Sequence, residues 1–587
     1  MYITTDRQKK ALRIFIGALM LGLLTASCGN ESDHPLGPGP VPDGEWELLT
    51  TGAQLHDIWV GTNGQALAVG DVGTILRFDG VRWTAEYCGA PVALNGIWGS
   101  SFGNLFAVGD GGTIFHFDGD DWQLVATPTS ENLHSVWGFS AQDIYAVGGA
   151  GTVLHFDGAS WRLANTVTSE TLNSVWGSSS DRVFAVGSGG EIIHYNGSAW
   201  QTMSSGTSLS LYSIRGVSSS NATAVGSDGT VVVYDGATWS TLTSPTVEDL
   251  RGVWPTSDTS FWAVGDGGAI IGHSGSDWTI VTASTSSDLR GVGGNSGGVI
   301  LAVGETGTVM SFDGTRWNEA LRGLAGDLRG VWGTSPGNVY TVGASGVIYH
   351  FDGSNFSPMN SSTGLSLYAV WGVSATDIFA VGQRGMVVHY DGSGWSRQTA
   401  GNMRDLFGVW GTSSTNIYGV GQEGHIAHYD GQSWYQDKSE TTVNLMGISG
   451  NSEAFAFAVG DSGIVLHFDG DEWKIEDTLG TMSLRAVWTS WSGYALAVGT
   501  DGTVARRKGE NWSVIAGLPV DTLNGLFGMS ETDIYVVGAR GALFNYNGST
   551  WNEAPVKTGQ TLWAVWGTAM SDVFAVGNDG TVLRLNR

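Results

Sequence analysis

Residues 104–122 read N-L-F-A-V-G-D-G-G-T-I-F-H-F-D-G-D-D-W, from Asn104 to Trp122. The stretch predicts two short β-strands joined by a tight turn, then a second turn leading into another strand. Nearly the same text returns along the whole chain. The glycine closing the A-V-G phrase falls at 70, 109, 148, 187, 226, 265, 304, 343, 382, 421, 460, 499, 538 and 577, always 39 residues apart. Fourteen copies without an insertion are the signature of a repeat architecture, and that period outranks any local assignment.

The copy holding this stretch shows what one unit contains. L-N-G-I-W-G-S-S, from Leu94, predicts a first strand, N-L-F-A-V-G a second, T-I-F-H-F a third and W-Q-L-V-A, from Trp122, a fourth. D-G-G-T is a hairpin turn, and the glycine three residues after A-V-G (Gly73, Gly112, Gly151, on to Gly580) stands in all fourteen copies. That suits a position needing φ > 0. D-G-D-D-W turns again, with Asp118 placed to bond its own backbone. The apolar runs are too short and too rich in β-branched and aromatic residues for helices. Four short antiparallel strands in about 40 residues make one β-propeller blade. Trp98 and Trp122, repeated from copy to copy, read as wedges filling the space between blades.

The fold class is therefore all-β, a propeller of fourteen four-stranded blades, either two seven-bladed rings or one fourteen-bladed ring. A third-strand histidine recurs at His116, His155, His194, His350, His389, His428 and His467. Copies seven apart agree in having or lacking it in six of seven pairs, Arg77 and His350 being the exception. That favours duplication of a seven-blade unit. The copy beginning near Asp43 has only a turn and a fourth strand (Trp46 onward), and the last copy stops after its third. The chain ends should therefore complete one blade together and hide exposed strand edges. The expected organisation is 1–28 leader, 29–44 tether, 45–316 first propeller and 317–587 second propeller, with the strand at Trp46 completing the first.

Arg7, Lys9, Lys10 and Arg13 precede an apolar run of eleven residues from Ile14 to Leu24, too short to span a bilayer. Small residues and Cys28 follow, which reads as a signal peptide. L-T-A-S-C resembles a bacterial lipobox. The resemblance implies lipidation at Cys28 and, with Gly29 next, an outer-membrane lipoprotein, periplasmic or surface-exposed. Residues 29–44 are Pro/Gly-rich and, fully extended, reach roughly 50 Å. Basic residues number 27 and acidic 55, a net charge of −28. Such a surface repels nucleic acid and anionic membrane faces, leaving the lipid as the only membrane attachment. Cys88 is the only other cysteine, so the mature chain builds no internal disulfide framework.

The F-D-G-x-x-W phrase (Phe117 to Trp122, Phe312 to Trp317) resembles the Asp-box of neuraminidase repeats. A-V-G-x-x-G-x-I resembles the propellers of photosystem II assembly factors. The V-W-G phrase and closing Trp are more loosely similar to tectonin-type lectins. These resemblances imply a propeller scaffold for protein partners or, for the lectins, glycan binding.

Catalytic chemistry finds little support. The Asp-box likeness raises a sialidase-like or other glycan-active enzyme as the alternative, but no insert outside the repeats carries the arginine triad and tyrosine nucleophile such an enzyme needs. One histidine per blade reads as a partner within the blade stack, not a metal ligand. The Asp-Gly turns lack the oxygens of a calcium site. No catalytic residue, metal or cofactor is assigned.

One position varies within the constant frame, three residues before the first-strand Trp. It reads His56, Asn95, His134, Asn173, Tyr212, Arg251 and Arg290, then Arg329, Tyr368, Phe407, Met446, Arg485, Asn524 and Trp563. The first strand of a propeller blade is innermost, so this position rims the channel, and its residue types are those of recognition surfaces. The sequence thus points to a non-enzymatic, membrane-anchored binding scaffold recognising a protein or acidic glycan at the channel mouth, with Arg251 and Arg290 the first candidates for holding an anion. The leader gives one direct test. Wild-type protein should partition into the detergent phase of an envelope extract and Cys28→Ala should not; aqueous partitioning of the wild type would remove the lipid anchor.

Overall fold

The computed structural model describes residues 45–587, apart from 81–82, 89–91, 296, 322, 402, 555–557, 570–571 and 587. The leader, Cys28 and the tether lie outside the described residues. Among the described residues no helix is long and apolar enough to cross a membrane.

Each copy forms one sheet, and there are fourteen four-stranded antiparallel sheets. In the second sheet Leu94–Ser101, Asn104–Gly109, Ile114–Phe117 and Trp122–Val125 lie side by side in chain order. Trp98 sits opposite Phe106, Phe106 opposite His116, and His116 opposite Gln123. The second strand is apolar without alternation because both faces are covered. Leu105 and Ala107 join the core of the sheet before (Leu67, Val69), while Phe106 and Val108 join that of the sheet after (Val136, Ile144). Trp98 belongs to the second of these clusters and Trp122 packs on the first, as expected of inter-blade wedges. Cys88 is buried among the same apolar residues.

Two glycines explain the constancy of the hairpin. Gly112 has φ +72° and follows Gly111 at φ +64°, two left-handed residues in succession, the geometry of a type I′ turn. Gly109 is extended, and its constancy has a different cause: a Cβ there would lie 2.0 Å from the Ala93 carbonyl oxygen. That carbonyl accepts from the Asp110 N–H at 3.0 Å, so a side chain would break the bond fastening the hairpin to the start of its sheet.

The first strand of sheet one, Leu55–Val60, packs against the first strand of sheet seven, Leu289–Gly294. Leu55, Ile58 and Leu76 share a core with Leu301, Val303 and Val309, and Asn295 Nδ2 donates to the Gly61 carbonyl at 2.8 Å. Likewise Leu328–Ser335 of sheet eight packs against Leu562–Ala569 of sheet fourteen, with Val331, Val339 and Phe351 in one core with Phe574, Val576 and Val582. From these two closures we infer two rings of seven sheets.

The expected boundary at 316/317 needs correction. Trp317–Leu321 pairs with Val309–Phe312 and stays the fourth strand of sheet seven. Glu45–Thr50 pairs instead with Val582–Asn586 and completes sheet fourteen. The reason is local. Asp313 Oδ1 accepts the Thr315 and Arg316 N–H groups, both at 2.8 Å, closing a tight turn that returns Trp317 to its own sheet at small loop entropy. Mixing of the chain ends occurs as expected, but at sheet fourteen. The linking residues then interlock: Gly307 N donates to Ala53 O at 2.8 Å, Gly580 N to Gly326 O at 2.9 Å, and Gly52 N to Asp579 O.

A fragment covering 51–322 contains seven complete sheets and should fold alone, giving a cooperative thermal transition. A fragment covering 45–316 lacks a strand of sheet seven and carries an unpaired one, and should be insoluble. The reverse outcome would restore the boundary at 316.

Candidate functional site

The varying position is the second residue of each first strand, where the strand enters from the linking segment. In the first seven sheets every such side chain is bonded within the protein. His56 Nε2 lies 2.8 Å from Asp71 Oδ1. Asn95 Nδ2 donates to Asp110 Oδ1 and the Leu133 carbonyl, both at 3.0 Å. His134 Nδ1 meets the Leu172 carbonyl at 3.0 Å, and Asn173 Nδ2 the Leu211 carbonyl at 2.8 Å. Tyr212 Oη receives the Ser227 hydroxyl at 2.8 Å and donates to Asp249 Oδ2 at 3.3 Å.

The two arginines are the most firmly held. Arg251 donates to both Asp266 oxygens at 2.8 Å and to Asp249 at 3.0 Å, and its guanidinium lies 4.4 Å from the Tyr212 ring centroid. The Asp266 bonds raise the Arg251 pKa above its ordinary range, and Arg251 in turn lowers that of Asp266. Arg290 meets Glu305 at 2.6 Å and Asp288 at 3.6 Å. Both guanidiniums already face carboxylates of their own sheets, so the anion-holding role expected of them has no free charge to supply it.

The next residue inward sets the throat. In the first half it is Asp57, Gly96, Ser135, Ser174, Ser213, Gly252 and Gly291. The hydroxyls take N–H groups of the following sheet: Val175 N to Ser135 Oγ at 3.3 Å, Ile214 N to Ser174 Oγ at 3.2 Å, Val253 N to Ser213 Oγ at 3.3 Å. Asp57 does the same for Ile97 N at 3.0 Å. Arg215 replaces the usual Trp and donates to the Ile214 carbonyl at 2.8 Å and the Val175 carbonyl at 3.3 Å. Burial pushes the Asp57 pKa up, and the charge of Arg215 opposes it; burial pushes Arg215 down, and Asp57 opposes that.

In the second half the throat residues are Gly330, Ala369, Gly408, Gly447, Ala486, Gly525 and Ala564, all small and apolar. They leave a cavity of about 550 Å³, and all seven varying side chains of this half line it: Arg329, Tyr368, Phe407, Met446, Arg485, Asn524 and Trp563. Arg329 lies 3.9 Å from the Trp563 ring centroid and bonds Asp327 at 3.0 Å. Trp563 Nε1 donates to Asn578 Oδ1 at 2.6 Å, and Asn524 Nδ2 to the Leu562 carbonyl at 3.0 Å. The Tyr368 and Phe407 rings are 5.7 Å apart, and burial raises the Tyr368 pKa.

Arg485 differs from every other rim arginine. Among the described residues it forms no ion pair; its Nε, like that of Arg290, is buried with no hydrogen-bond partner. The repeat explains why. Arg251 is bracketed by Asp249 and Asp266, and Arg290 by Asp288 and Glu305; the corresponding residues around Arg485 are Ser483 and Thr500. That comparison was available in the sequence, but it requires three positions to be read together across copies.

Other expectations can be placed. Third-strand histidines stack on the neighbouring strand, and five of the seven bond its first residue. His116 lies 4.4 Å from the Phe106 ring and 2.9 Å from Asn104 Oδ1, and His389 lies 2.7 Å from Asp377, whereas the Nε2 atoms of His194 and His467 are buried without a partner. The Asp-Gly turns use their carboxylates on backbone: Asp118 Oδ1 accepts the Asp120 and Asp121 N–H groups at 3.1 Å, which holds its carboxyl below the usual range. Among the described residues no cluster of His, Cys, Asp and Glu is arranged to hold a metal.

No family model and no curated protein matches the sequence. Solved structures do. PorZ of Porphyromonas gingivalis, described as an essential bacterial surface component of the type-IX secretion system, is similar over 92% of this chain and 87% of its own, with TM-score 0.56 and 14% identity. YCF48 bound to D1 peptide matches 45% of this chain and 94% of its own, with TM-score 0.40 and 15% identity; YCF48 from Cyanidioschyzon merolae matches 44% and 96%, with TM-score 0.39 and 14% identity. The likeness to PorZ at this identity establishes the propeller fold.

The first throat yields a test built from the repeat's own residues. Asp57→Ser alone removes the charge that opposes the burial of Arg215 and should lower stability. Adding Arg215→Trp should recover most of that loss. Additive losses in a denaturant double-mutant cycle would show that the two groups are uncoupled.

Proposed function

We propose that this protein is a non-enzymatic binding scaffold of the bacterial cell envelope, anchored through Cys28, which takes an anionic protein or glycan group at the mouth of the second channel. The observation that carries the reading is Arg485, without an ion pair among the described residues, in a cavity it shares with Phe407, Met446, Tyr368, Trp563, Asn524 and the Asp327-bonded Arg329. On a chain of charge −28 a cation without a carboxylate neighbour is a local departure from the overall field, and a concave mouth concentrates its potential. A guanidinium offers a carboxylate a forked, two-bond geometry, and the aromatic rings beside it supply flat apolar surface. The propeller fold shared with a bacterial surface component accords with the envelope location.

The first mouth plays no part in this reading, since Arg251 and Arg290 spend their charge internally. A charge-assisted bond contributes on the order of 1.5–3 kcal/mol. Arg485→Ala should therefore weaken capture of envelope ligand by tenfold or more, measured on immobilised full-length protein against dilutions of extract. The Arg251→Ala and Arg290→Ala pair should leave capture unchanged, although it loses stability with the broken ion pairs. Equal capture by Arg485→Ala and wild type, or glycoside turnover that this substitution abolishes, would overturn the proposal.

A further inference from the structure

In a chain of fourteen near-identical units, a residue that breaks the pattern at a cost to its own sheet points to a demand other than folding. The twelfth copy breaks it three times on one face, opposite the mouths. Trp491 stands where eleven copies have serine at the turn between the first and second strands. Lys508 stands where eleven copies have Asp or Asn at the turn between the third and fourth. Arg507 stands where eleven have Phe or Tyr. Lys508 cannot accept the backbone N–H groups that the usual Asp does, and Arg507 forfeits the ring contact made elsewhere, as by Phe117 on Trp122 at 5.3 Å.

These residues border one groove of about 540 Å³, with Asn451, Tyr494 and Glu531. Trp491 is 91% exposed, the most exposed large apolar side chain among the described residues. Its loop is nonetheless fixed from both sides. Asn451 of the preceding sheet donates to the Ser490 carbonyl at 3.0 Å. Ser492 Oγ donates to Glu531 of the following sheet, and Ser490 N to the Tyr494 carbonyl at 2.8 Å. A bare indole on an immobilised loop is a preorganised contact that loses little entropy when covered. Arg507 is held by Glu476 at 2.6 and 3.1 Å, which leaves Lys508 as the groove's available cation; it forms no ion pair among the described residues.

We propose that this groove is a saccharide site, taking a pyranose ring on the face of Trp491 and an acidic substituent on Lys508. The chemistry favours a sugar over a protein surface. A stable protein interface covers about 800 Å² on each side around an apolar centre. Here one exposed indole face, with Phe455 and Tyr494 beside it in the groove, is ringed by amide, carboxylate, hydroxyl and ammonium groups. Sugar C–H groups meet the electron-rich face of an indole, and the hydroxyls need just such polar neighbours. The charge of Lys508, placed where nearly every other copy is acidic or neutral, selects for an acidic sugar.

Reversion to the repeat gives variants that must fold, because the other copies already use those residues. Full-length wild type, Trp491→Ser, Lys508→Asp and Arg485→Ala are applied to an array of acidic and neutral glycans, and the strongest acidic spot is titrated by calorimetry. Trp491→Ser should lose at least tenfold, and Lys508→Asp should lose affinity for the acidic glycan but not for its neutral counterpart, while Arg485→Ala marks any glycan held at the second mouth instead. No glycan bound in a Trp491-dependent way would overturn the proposal. So would a Trp491→Ser variant that binds as wild type, or binding lost with Arg485→Ala, which would place the sugar at the second mouth.

Discussion

Every sheet in this protein must bury both of its faces. That single constraint sets the rest. A second strand such as Leu105–Gly109 sends alternate residues into two neighbouring cores, so no sheet is stable alone and stacking continues until a last sheet meets a first. Closure against sheets seven and fourteen satisfies the constraint twice. The Glu45–Thr50 strand then supplies the one edge that the order of strands leaves uncovered. Apolar burial drives the stack, and the glycines at turn positions permit a 39-residue unit to repeat without an insertion.

Once closure is fixed, function is confined to what closure does not use. The innermost strand presents one residue per sheet to each mouth, and the throat residue behind it decides whether that mouth is filled or open. Serines, Asp57 and Arg215 line the first with internally bonded polar groups. Glycine and alanine leave the second open and apolar. The two halves share a fold and differ in chemistry through substitutions at about two positions per copy.

Much of this was legible in the sequence. The period, the four strands, the left-handed Gly112, the wedge role of Trp98 and the bonding of His116 all follow from patterns repeated in one chain. The partner of Glu45–Thr50 was legible only in part: the missing fourth strand of the last copy pointed to the chain ends completing one blade, but the boundary drawn at 316 gave the strand to sheet seven, where Trp317–Leu321 already fills the place. The internal pairing of Arg251 and Arg290 was hidden for another reason. Their carboxylates sit 2 residues before and 15 after, distances that have meaning only once the hairpin folds Asp266 and Glu305 back beside the first strand. The same offsets, read at Ser483 and Thr500, would have singled out Arg485.

The central claim is that the second mouth holds an arginine whose charge is not spent within the fold. The most direct measurement is the Nε–Hε nuclear magnetic resonance spectrum of arginine-labelled full-length protein titrated with benzoate, the Arg485 signal being assigned by its loss in Arg485→Lys. The account predicts a saturable shift of the Arg485 signal, with Arg251 and Arg290 unmoved because their ion pairs persist. Equal movement of all three, or an Arg485 signal indifferent to the anion, would contradict it.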